Sequence, residues 1–172
     1  MAGTPETAEK LNHTLHYLLD LFDEHSIDDW FISYGTLLGI TREGSCIDGD
    51  DDIDICINKN HWNDIKKLFR NEIWQYQPNF INTYRNKELT QIDFYFCDVN
   101  DKGDFNDTWE RVTWSQCYEE DGCLAVELFQ GRELNVPANH IKKLEKRYGP
   151  TWRQRVKRGT PAGDGYRNEL VL

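Results

Sequence analysis

The feature that most constrains this chain is a dense run of acidic residues: five of the seven residues in 48–54 are aspartates. Their charges repel one another strongly, so the segment is costly to fold unless a cation occupies it or water surrounds it. Residues 52–57 then alternate polar and apolar side chains, which predicts a half-buried strand. On such a strand Asp52 and Asp54 project to one face about 6–7 Å apart, where they can share a divalent metal ion, Mg²⁺ or Mn²⁺.

A calcium loop and a solvated turn are the alternatives to such a metal site in this acidic run. A calcium loop of the EF-hand type requires Gly at its sixth position and Glu at its twelfth. Counted from Asp48, those positions hold Ile53 and Lys59, and a count from Asp50 fails in the same way. A solvated acidic surface turn is the alternative that remains for this segment on its own.

A glycine-threonine pair precedes the aspartates. Tyr34-Gly35-Thr36 ends a predicted strand and opens a predicted helix. A turn of this kind presents free backbone N–H groups, which together with the helix dipole favour a bound phosphate, and glycine allows the ligand to approach closely. The pair is weak evidence alone and gains its value from the aspartates that follow.

A third acidic position lies in a later strand. Asp93 stands between Ile92 and Phe94, and burying a lone carboxylate among apolar residues is costly. If this strand neighbours the strand of Asp52 and Asp54, Asp93 is either a third metal ligand or a general base. The alternative is an acid on the solvated face of an edge strand.

The remaining pattern predicts a single α/β (α+β) domain over 1–172, with a mixed sheet flanked by helices and a core at about 30–152. Periodicity and turn residues predict helices over 5–25, 36–42, 60–70 and 137–148. They also predict strands over 30–34, 73–77, 80–84 and 91–96, weaker strands over 111–116 and 124–129, a polar loop over 100–106 and an irregular tail over 159–172. Of the tryptophans, Trp109, Trp114 and Trp152 either line a pocket or fill the core, and the core is the expectation.

Composition excludes several classes of function. The net charge of −10 argues against a nucleic-acid-binding protein, although eight basic residues cluster over 142–158. That basic segment either helps to hold a nucleotide or is a solvated helix face. The five cysteines contain no CxxC pair, so neither a zinc site nor a disulfide framework is expected. No signal peptide and no membrane-spanning run are evident, which predicts a cytoplasmic protein.

A hydrophobic-Gly-small turn, an Asp-x-Asp strand and a later Asp together resemble the nucleotidyltransferase superfamily. Within it, the Tyr-Gly-Thr-Leu-Leu-Gly-Ile-Thr-Arg of residues 34–42 and the Asp-Asp-Asp-Ile-Asp-Ile of 50–55 resemble the LicD/fukutin family. The Phe-Gln-Gly-Arg of 129–132, Val136-Pro137 and the Tyr-Gly-Pro-Thr-Trp of 148–152 are similar to that family's closing pattern.

The resemblance implies a metal-dependent transferase. Such an enzyme moves a phospho-substituent, such as phosphocholine or phosphoribitol, from a CDP-linked donor to a glycan hydroxyl. Carried over by position, Asp52 and Asp54 are metal ligands, Asp50 assists them, and Asp93 is a ligand or the base.

The resemblance also implies a binding site for the nucleotide-linked donor, with Gly35 and Thr36 at its phosphates and Arg42 near them. The sequence departs from the family at 46–49, where Cys-Ile-Asp-Gly stands in place of the usual Phe-Ile-Pro-Trp. This change alters the expected shape of the donor pocket. Arg85 and Lys87 precede the Asp93 strand and can reach a phosphate, although turn residues of this type are usually solvated.

Two alternatives stay open at this point. One is a glycosyl- or nucleotidyltransferase of the same fold that uses another sugar nucleotide. The other is a catalytically inactive glycan-binding domain, which the joint presence of the three aspartates and the Gly35-Thr36 pair disfavours.

Overall fold

The structure, a computed structural model, describes residues 7–155 and 171–172. Its helices are α1 Thr7–Glu24, α2 Tyr34–Glu43, α3 Trp62–Leu68 and α4 His140–Tyr148, with a 3-10 turn at Lys59–His61. Its strands are β1 Trp30–Ile32, β2 Asp52–Asn58, β3 Ile73–Gln77, β4 Phe80–Thr83, β5 Gln91–Val99, β6 Phe105–Asp107, β7 Val112–Trp114, β8 Ala125–Phe129 and β9 Arg132–Val136. The predicted α/β fold class, with a mixed sheet and flanking helices, is confirmed.

The sheet brings the two acidic strands together. The strand order is β1-β2-β5-β4-β3; β6 pairs with the far end of β5, and β7 pairs with β6. Strands β2 and β5 are parallel, whereas the other strand pairs of the described chain are antiparallel. Strands β8 and β9 form a separate hairpin. The strand of Asp93 therefore lies directly beside the strand of Asp52 and Asp54, which meets the condition that the sequence analysis set for Asp93.

The two faces of the sheet have different chemistry. Strands β2 and β5 turn isoleucine and phenylalanine side chains to one face, where Phe94 contacts Phe22 of α1 and Phe69 after α3. The opposite face carries Asp54, Asp93 and Tyr95, because side chains alternate along a strand. The start of α2 covers part of this second face, since the Tyr34 ring lies 5.0 Å from that of Tyr95. One face is thus a hydrophobic core and the other holds the acidic groups.

Several sequence-based boundaries were wrong. Tyr34 opens α2 instead of ending β1, and α4 begins at His140, three residues after Pro137. The predicted loop over 100–106 contains most of β6, and β9 was not predicted. A strand of three residues is too short to show a periodicity in the sequence, and β6 was therefore not predicted. Of the predicted irregular tail, only 171–172 lie within the described residues, and Leu172 pairs there with Thr113.

Two of the three tryptophans expected in the core are buried there. Trp114 and Trp152 are buried in the core, but Trp109 is 41% exposed, so the core prediction was wrong for Trp109. Cys56 and Cys97 are buried free thiols. Among the described residues, no helix is both long and apolar enough to cross a lipid bilayer.

Candidate active site

Three carboxylates converge on the acidic face of the sheet. The parallel pairing sets Asp54 directly beside Asp93, and Asp52 lies two residues before Asp54 on the same face. One carboxylate oxygen from each of these three side chains lies within 4.8 Å of the other two. A single ion can contact all three at that spacing, because carboxylate oxygens bind divalent cations at roughly 2–2.6 Å. The structure therefore assembles the predicted trio.

A second acidic group adjoins the first. Asp50 and Asp51 each bring a carboxylate oxygen within 4.8 Å of Asp52, so Asp52 belongs to both groups. The loop that carries them is fastened to α1, where the Gly49 N–H donates to Thr7 Oγ1 at 2.8 Å. Arg85 Nη2 lies 3.9 Å from Asp51 Oδ2, which places one cation at the rim of the acidic cluster.

The Gly-Thr turn is bonded to Asp54. The Gly35 N–H donates to Asp54 Oδ2 at 3.2 Å, and Thr36 Oγ1 accepts from the Asp54 N–H at 2.9 Å. The hydroxyl of Tyr95 donates to Asp54 Oδ1 at 3.0 Å. The sequence predicted free N–H groups at this turn, but the structure commits the Gly35 N–H to the carboxylate. The turn consequently fixes the orientation of Asp54.

Tyr34 holds this turn in an unusual conformation. Its φ of 44° lies in the left-handed region, which costs a non-glycine residue on the order of 1–2 kcal/mol. The Tyr34 hydroxyl donates to Asp107 Oδ2 at 2.5 Å. Asp107 is fully buried and also accepts the backbone N–H groups of Trp109 and Glu110, at 2.9 and 3.2 Å. The hydrogen bond between Tyr34 and Asp107 therefore stabilises the strained turn that brings the Gly35 N–H to Asp54.

Asp107 was not singled out from the sequence. It ends the three-residue strand β6, directly after the stretch 100–106 that was predicted as a loop. The only sequence signal was its position two residues before Trp109, which suits an Asx-type turn.

Arg42 lies farther along α2. Its position is about 10 Å from Gly35 along the helix axis, at a rise of about 1.5 Å per residue. Its Nε donates to Glu43 Oε1 at 2.9 Å, and its Nη1 donates to the Trp152 carbonyl at 3.5 Å. The role of Arg42 at a donor phosphate stays a prediction.

Burial and mutual repulsion dominate the electrostatics of the aspartate trio. Burial, strengthened by the charges of Asp52 and Asp51, raises the pKa of Asp93 to about 8. Burial and the charges of Asp52, Asp93 and Asp50 likewise raise the pKa of Asp54 well above its usual range. Each of these carboxylates would ionise readily if a cation lay among them.

The residues present fit a divalent metal ion. Their donors are hard carboxylate oxygens, the type that Mg²⁺ and Mn²⁺ prefer. Asn82 adds a further oxygen beside them: its amide nitrogen donates to Asp93 Oδ1 at 3.0 Å, while its buried Oδ1 has no hydrogen-bond partner among the described atoms. The absence of a side chain at Gly35 leaves space for the acidic cluster, because a Cβ at this position would lie 2.9 Å from Asp50 Oδ2.

We predict that the metal-free protein loses stability as the pH rises. An Asp whose pKa is raised on folding binds its proton more tightly in the folded state, so its stabilising effect is complete below pH about 4. That effect is lost as the pH rises toward about 8, the pKa of Asp93. Urea unfolding in EDTA at pH 5.5 and pH 8 should show the decrease, and Mn²⁺ should reverse it at pH 8. Asp93→Asn should flatten the decrease; an unchanged slope in that variant would contradict the prediction.

Two glycines of α2 give a second prediction. A Cβ on Gly39 would lie 2.8 Å from the Ser45 carbonyl oxygen, whereas the contact of a Gly35 Cβ is with the mobile end of the Asp50 side chain. Gly39→Ala should therefore lower the free energy of unfolding by about 1–3 kcal/mol, because backbone must move. Gly35→Ala should cost less stability but weaken Mn²⁺ binding more. The two variants serve as controls for each other in thermal unfolding with and without Mn²⁺.

Solved structures show which class of protein has this fold. The lincosamide antibiotic adenylyltransferase LnuA, solved with lincomycin bound, superposes with a TM-score of 0.57 at 16% identity, covering 83% of this chain and 85% of LnuA. The antibiotic-resistance factor ANT(2'')-Ia superposes with a TM-score of 0.53 at 14% identity, covering 73% of this chain and 64% of its own. No protein of curated function matches the chain by sequence. The fold is therefore that of the nucleotidyltransferases.

The family is narrower than the fold. Residues 28–149 match the family described as LicD/FKTN/FKRP, nucleotidyltransferase domain. That match covers most of the chain and includes both acidic strands and α2. The chain belongs to the LicD/FKTN/FKRP nucleotidyltransferase-domain family, and it is a transferase of nucleotidyltransferase fold.

Proposed function

We propose that this protein is a metal-dependent transferase that moves a phospho-substituent, of the phosphocholine or phosphoribitol type, from a CDP-linked donor to a glycan hydroxyl. The observation that carries the proposal is the convergence of Asp52, Asp54 and Asp93 within 4.8 Å, beside the Gly35 turn, in which Tyr34 has a left-handed backbone conformation. The family membership supports the transfer chemistry, and the acidic cluster supports the use of a metal.

In the proposed site the aspartates hold the metal ion together, and Asp93 has a second task as the general base. Asp52, Asp54 and Asp93 would hold Mg²⁺ or Mn²⁺, assisted by Asp50. When bound, the metal ion neutralises charge that develops on the phosphate oxygens. Asp54 cannot turn away from the cluster, because the Gly35 N–H and the Tyr95 hydroxyl each hold one of its carboxylate oxygens.

Asp93 is the proposed general base. It accepts the proton of the acceptor hydroxyl as that oxygen forms its bond to phosphorus, and the bond from phosphorus to the bridging oxygen breaks, so that the nucleoside monophosphate leaves. Asn82 holds Asp93 Oδ1 and keeps the carboxylate oriented. In this proposal Gly35 and Thr36, where α2 begins, would lie at the donor phosphates, and Arg42, near the end of α2, would lie on the same side.

A second candidate is transfer of a nucleotidyl group, or of a sugar from another sugar nucleotide, by the same site. The structural similarity to LnuA, an adenylyltransferase, favours this second candidate. So does the similarity to the complex of ANT(2'')-Ia with adenylyl-2''-tobramycin, which superposes on this chain with a TM-score of 0.50. Both candidate functions need the same aspartate cluster, so the two are distinguished by which nucleotide-linked donor the protein binds.

A nucleotide panel tests the proposal. Melting temperatures would be measured with CDP-choline, CDP-ribitol, ATP, and UDP-, GDP- and ADP-sugars, each with and without Mn²⁺. A donor at a hundred times its Kd stabilises by about 2.7 kcal/mol, which raises the melting temperature by roughly 5–10 °C for a chain of this size. We expect that rise with the CDP-linked donors and only with Mn²⁺. A rise with ATP alone would favour nucleotidyl transfer, and no rise with any nucleotide would favour an inactive glycan-binding domain.

A further inference from the structure

A rigid turn follows β6 and approaches the aspartate trio. Strand β6 runs antiparallel to β5, so the chain leaving Asp107 heads back toward Tyr95 and Asp93. The buried Asp107 carboxylate holds the backbone N–H groups of Trp109 and Glu110. Asn79 Nδ2 donates to Thr108 Oγ1 at 3.0 Å and ties the turn to the start of β4. The turn is thus fixed from two sides.

This turn presents an open aromatic ring. The Trp109 indole stacks on Phe80, with the ring centroids 4.5 Å apart and the planes 7° from parallel. Trp109 nevertheless remains 41% exposed. Phe80 packs against Tyr95 at 5.4 Å, and Tyr95 bonds Asp54, so the indole is two ring contacts from the cluster. An indole held parallel to a supporting ring offers its outer surface to a ligand with little further loss of side-chain entropy on binding.

Glu110 follows Trp109 in the same turn and carries a carboxylate. The side chain is exposed, and its charge contributes to the raised pKa values of Asp93, Asp107 and Tyr95. Glu110 belongs to the turn that follows β6, whose chain direction leads back toward Tyr95 and Asp93. A carboxylate accepts hydrogen bonds from hydroxyl or amino groups and repels phosphate.

The position of the turn indicates which substrate it meets. The Gly35 turn contacts Asp54 from the β1 and α2 side, whereas Asp93 lies on β5 with β4 and the turn beyond it. The proposed function sets the donor phosphates on the α2 side, which leaves the Asp93 side for the acceptor.

We propose that Trp109 and Glu110 form the acceptor subsite and bind a saccharide ring, whose apolar C–H face lies on the indole while its hydroxyl groups donate to the Glu110 carboxylate. The identification of this ligand as the acceptor rests on the proposed function. The saccharide subsite itself rests on the stacked indole, the adjoining carboxylate and the fixed turn.

Saturation-transfer NMR tests the subsite directly. Methyl glycosides of galactose, glucose and N-acetylglucosamine, and free ribitol as an acyclic comparison, would be added at millimolar concentration to the whole protein. We expect transfer to the ring C–H protons of at least one glycoside, and roughly tenfold weaker binding in Trp109→Ala and in Glu110→Ala. Trp109→Phe, which keeps a flat ring, should retain most of the signal. Trp74→Ala is the matched control, because Trp74 is 65% exposed on β3.

The outcomes separate this inference from the proposed function. If no glycoside gives a signal with the unmodified protein, or if the signal persists in both Trp109→Ala and Glu110→Ala, the subsite is wrong. Mn²⁺-dependent stabilisation by CDP-choline without glycoside binding would retain the proposed function and overturn the subsite. Glycoside binding that depends on Trp109, with no nucleotide binding, would retain the subsite and overturn the proposed function. If Trp109→Ala fails to fold, Glu110→Ala still tests the subsite, because Glu110 is exposed and its loss should not affect folding.

Discussion

Asp54→Asn is expected to lower the transferase rate by at least about 10³-fold and to remove the Mn²⁺-dependent rise in melting temperature. The amide keeps the shape of the side chain and one oxygen acceptor but removes a charge that the metal needs. Because Asp54 lies among Asp52, Asp93 and Asp50, the same change should make the metal-free protein more stable at pH 8. Lower activity together with higher stability of the metal-free protein would show that the Asp54 charge serves function at a cost in stability.

The matched control for this experiment is Asp98→Asn. Asp98 also lies in a strand of the sheet, β5, but it is half exposed and pairs with Lys59 at the surface. Surface pairs of this kind contribute about 0–1 kcal/mol, so Asp98→Asn should leave the rate and the Mn²⁺ effect unchanged. Should Asp54→Asn bind Mn²⁺ as well as the unmodified protein does, the aspartate trio is not the metal site.

Asp107→Ala is expected to lower the free energy of unfolding by about 3–5 kcal/mol. The change leaves the Tyr34 hydroxyl and two backbone N–H groups without their acceptor in a fully buried position. It also releases the left-handed turn at Tyr34, so Mn²⁺ affinity should fall in the fraction that remains folded. Tyr34→Phe, which removes one donor to a buried carboxylate, should cost less, about 1.5–3 kcal/mol. Urea unfolding curves give both values.

Asp121→Ala provides the comparison for Asp107→Ala. Asp121 also accepts the backbone N–H of the residue two positions on, Cys123, but it does so on an exposed turn. Water can replace that hydrogen bond, so the expected cost is at most about 1 kcal/mol. Equal costs for the two variants would show that Asp107 acts only as a local turn residue and does not support the Tyr34 turn.

Much of the acidic face could be predicted from the sequence because local patterns encode it. The alternation after Asp51 marks β2 and sends Asp52 and Asp54 to one face, and the apolar neighbours of Asp93 mark β5. The family pattern then joined these segments to the Gly35-Thr36 turn. The convergence itself follows from pairing β2 with β5, which the sequence could state only as a condition.

The contacts that the sequence missed are tertiary ones. Asp107 reaches Tyr34 across 73 positions of the chain, from a strand too short to show a pattern. Gly35 was expected to offer a free N–H, but a carboxylate that lies 19 positions away takes it. Trp109 was expected in the core because tryptophan usually is buried, but only one face of its ring stacks on Phe80 and the side chain stays 41% exposed. Such partners depend on how distant segments pack.

The parallel pairing of β2 and β5 also has a consequence for folding. Asp54 and Asp93 lie about 40 residues apart in sequence, and a parallel pair forms only after the intervening chain has crossed over. Pairings of this range are slow to form, because loop entropy is lost before the contacts compensate for it. The three carboxylates therefore come together late, and partly folded chains cannot bind the ion as the native protein does. The time at which Mn²⁺ binds during refolding would consequently report when the pairing of β2 with β5 is complete.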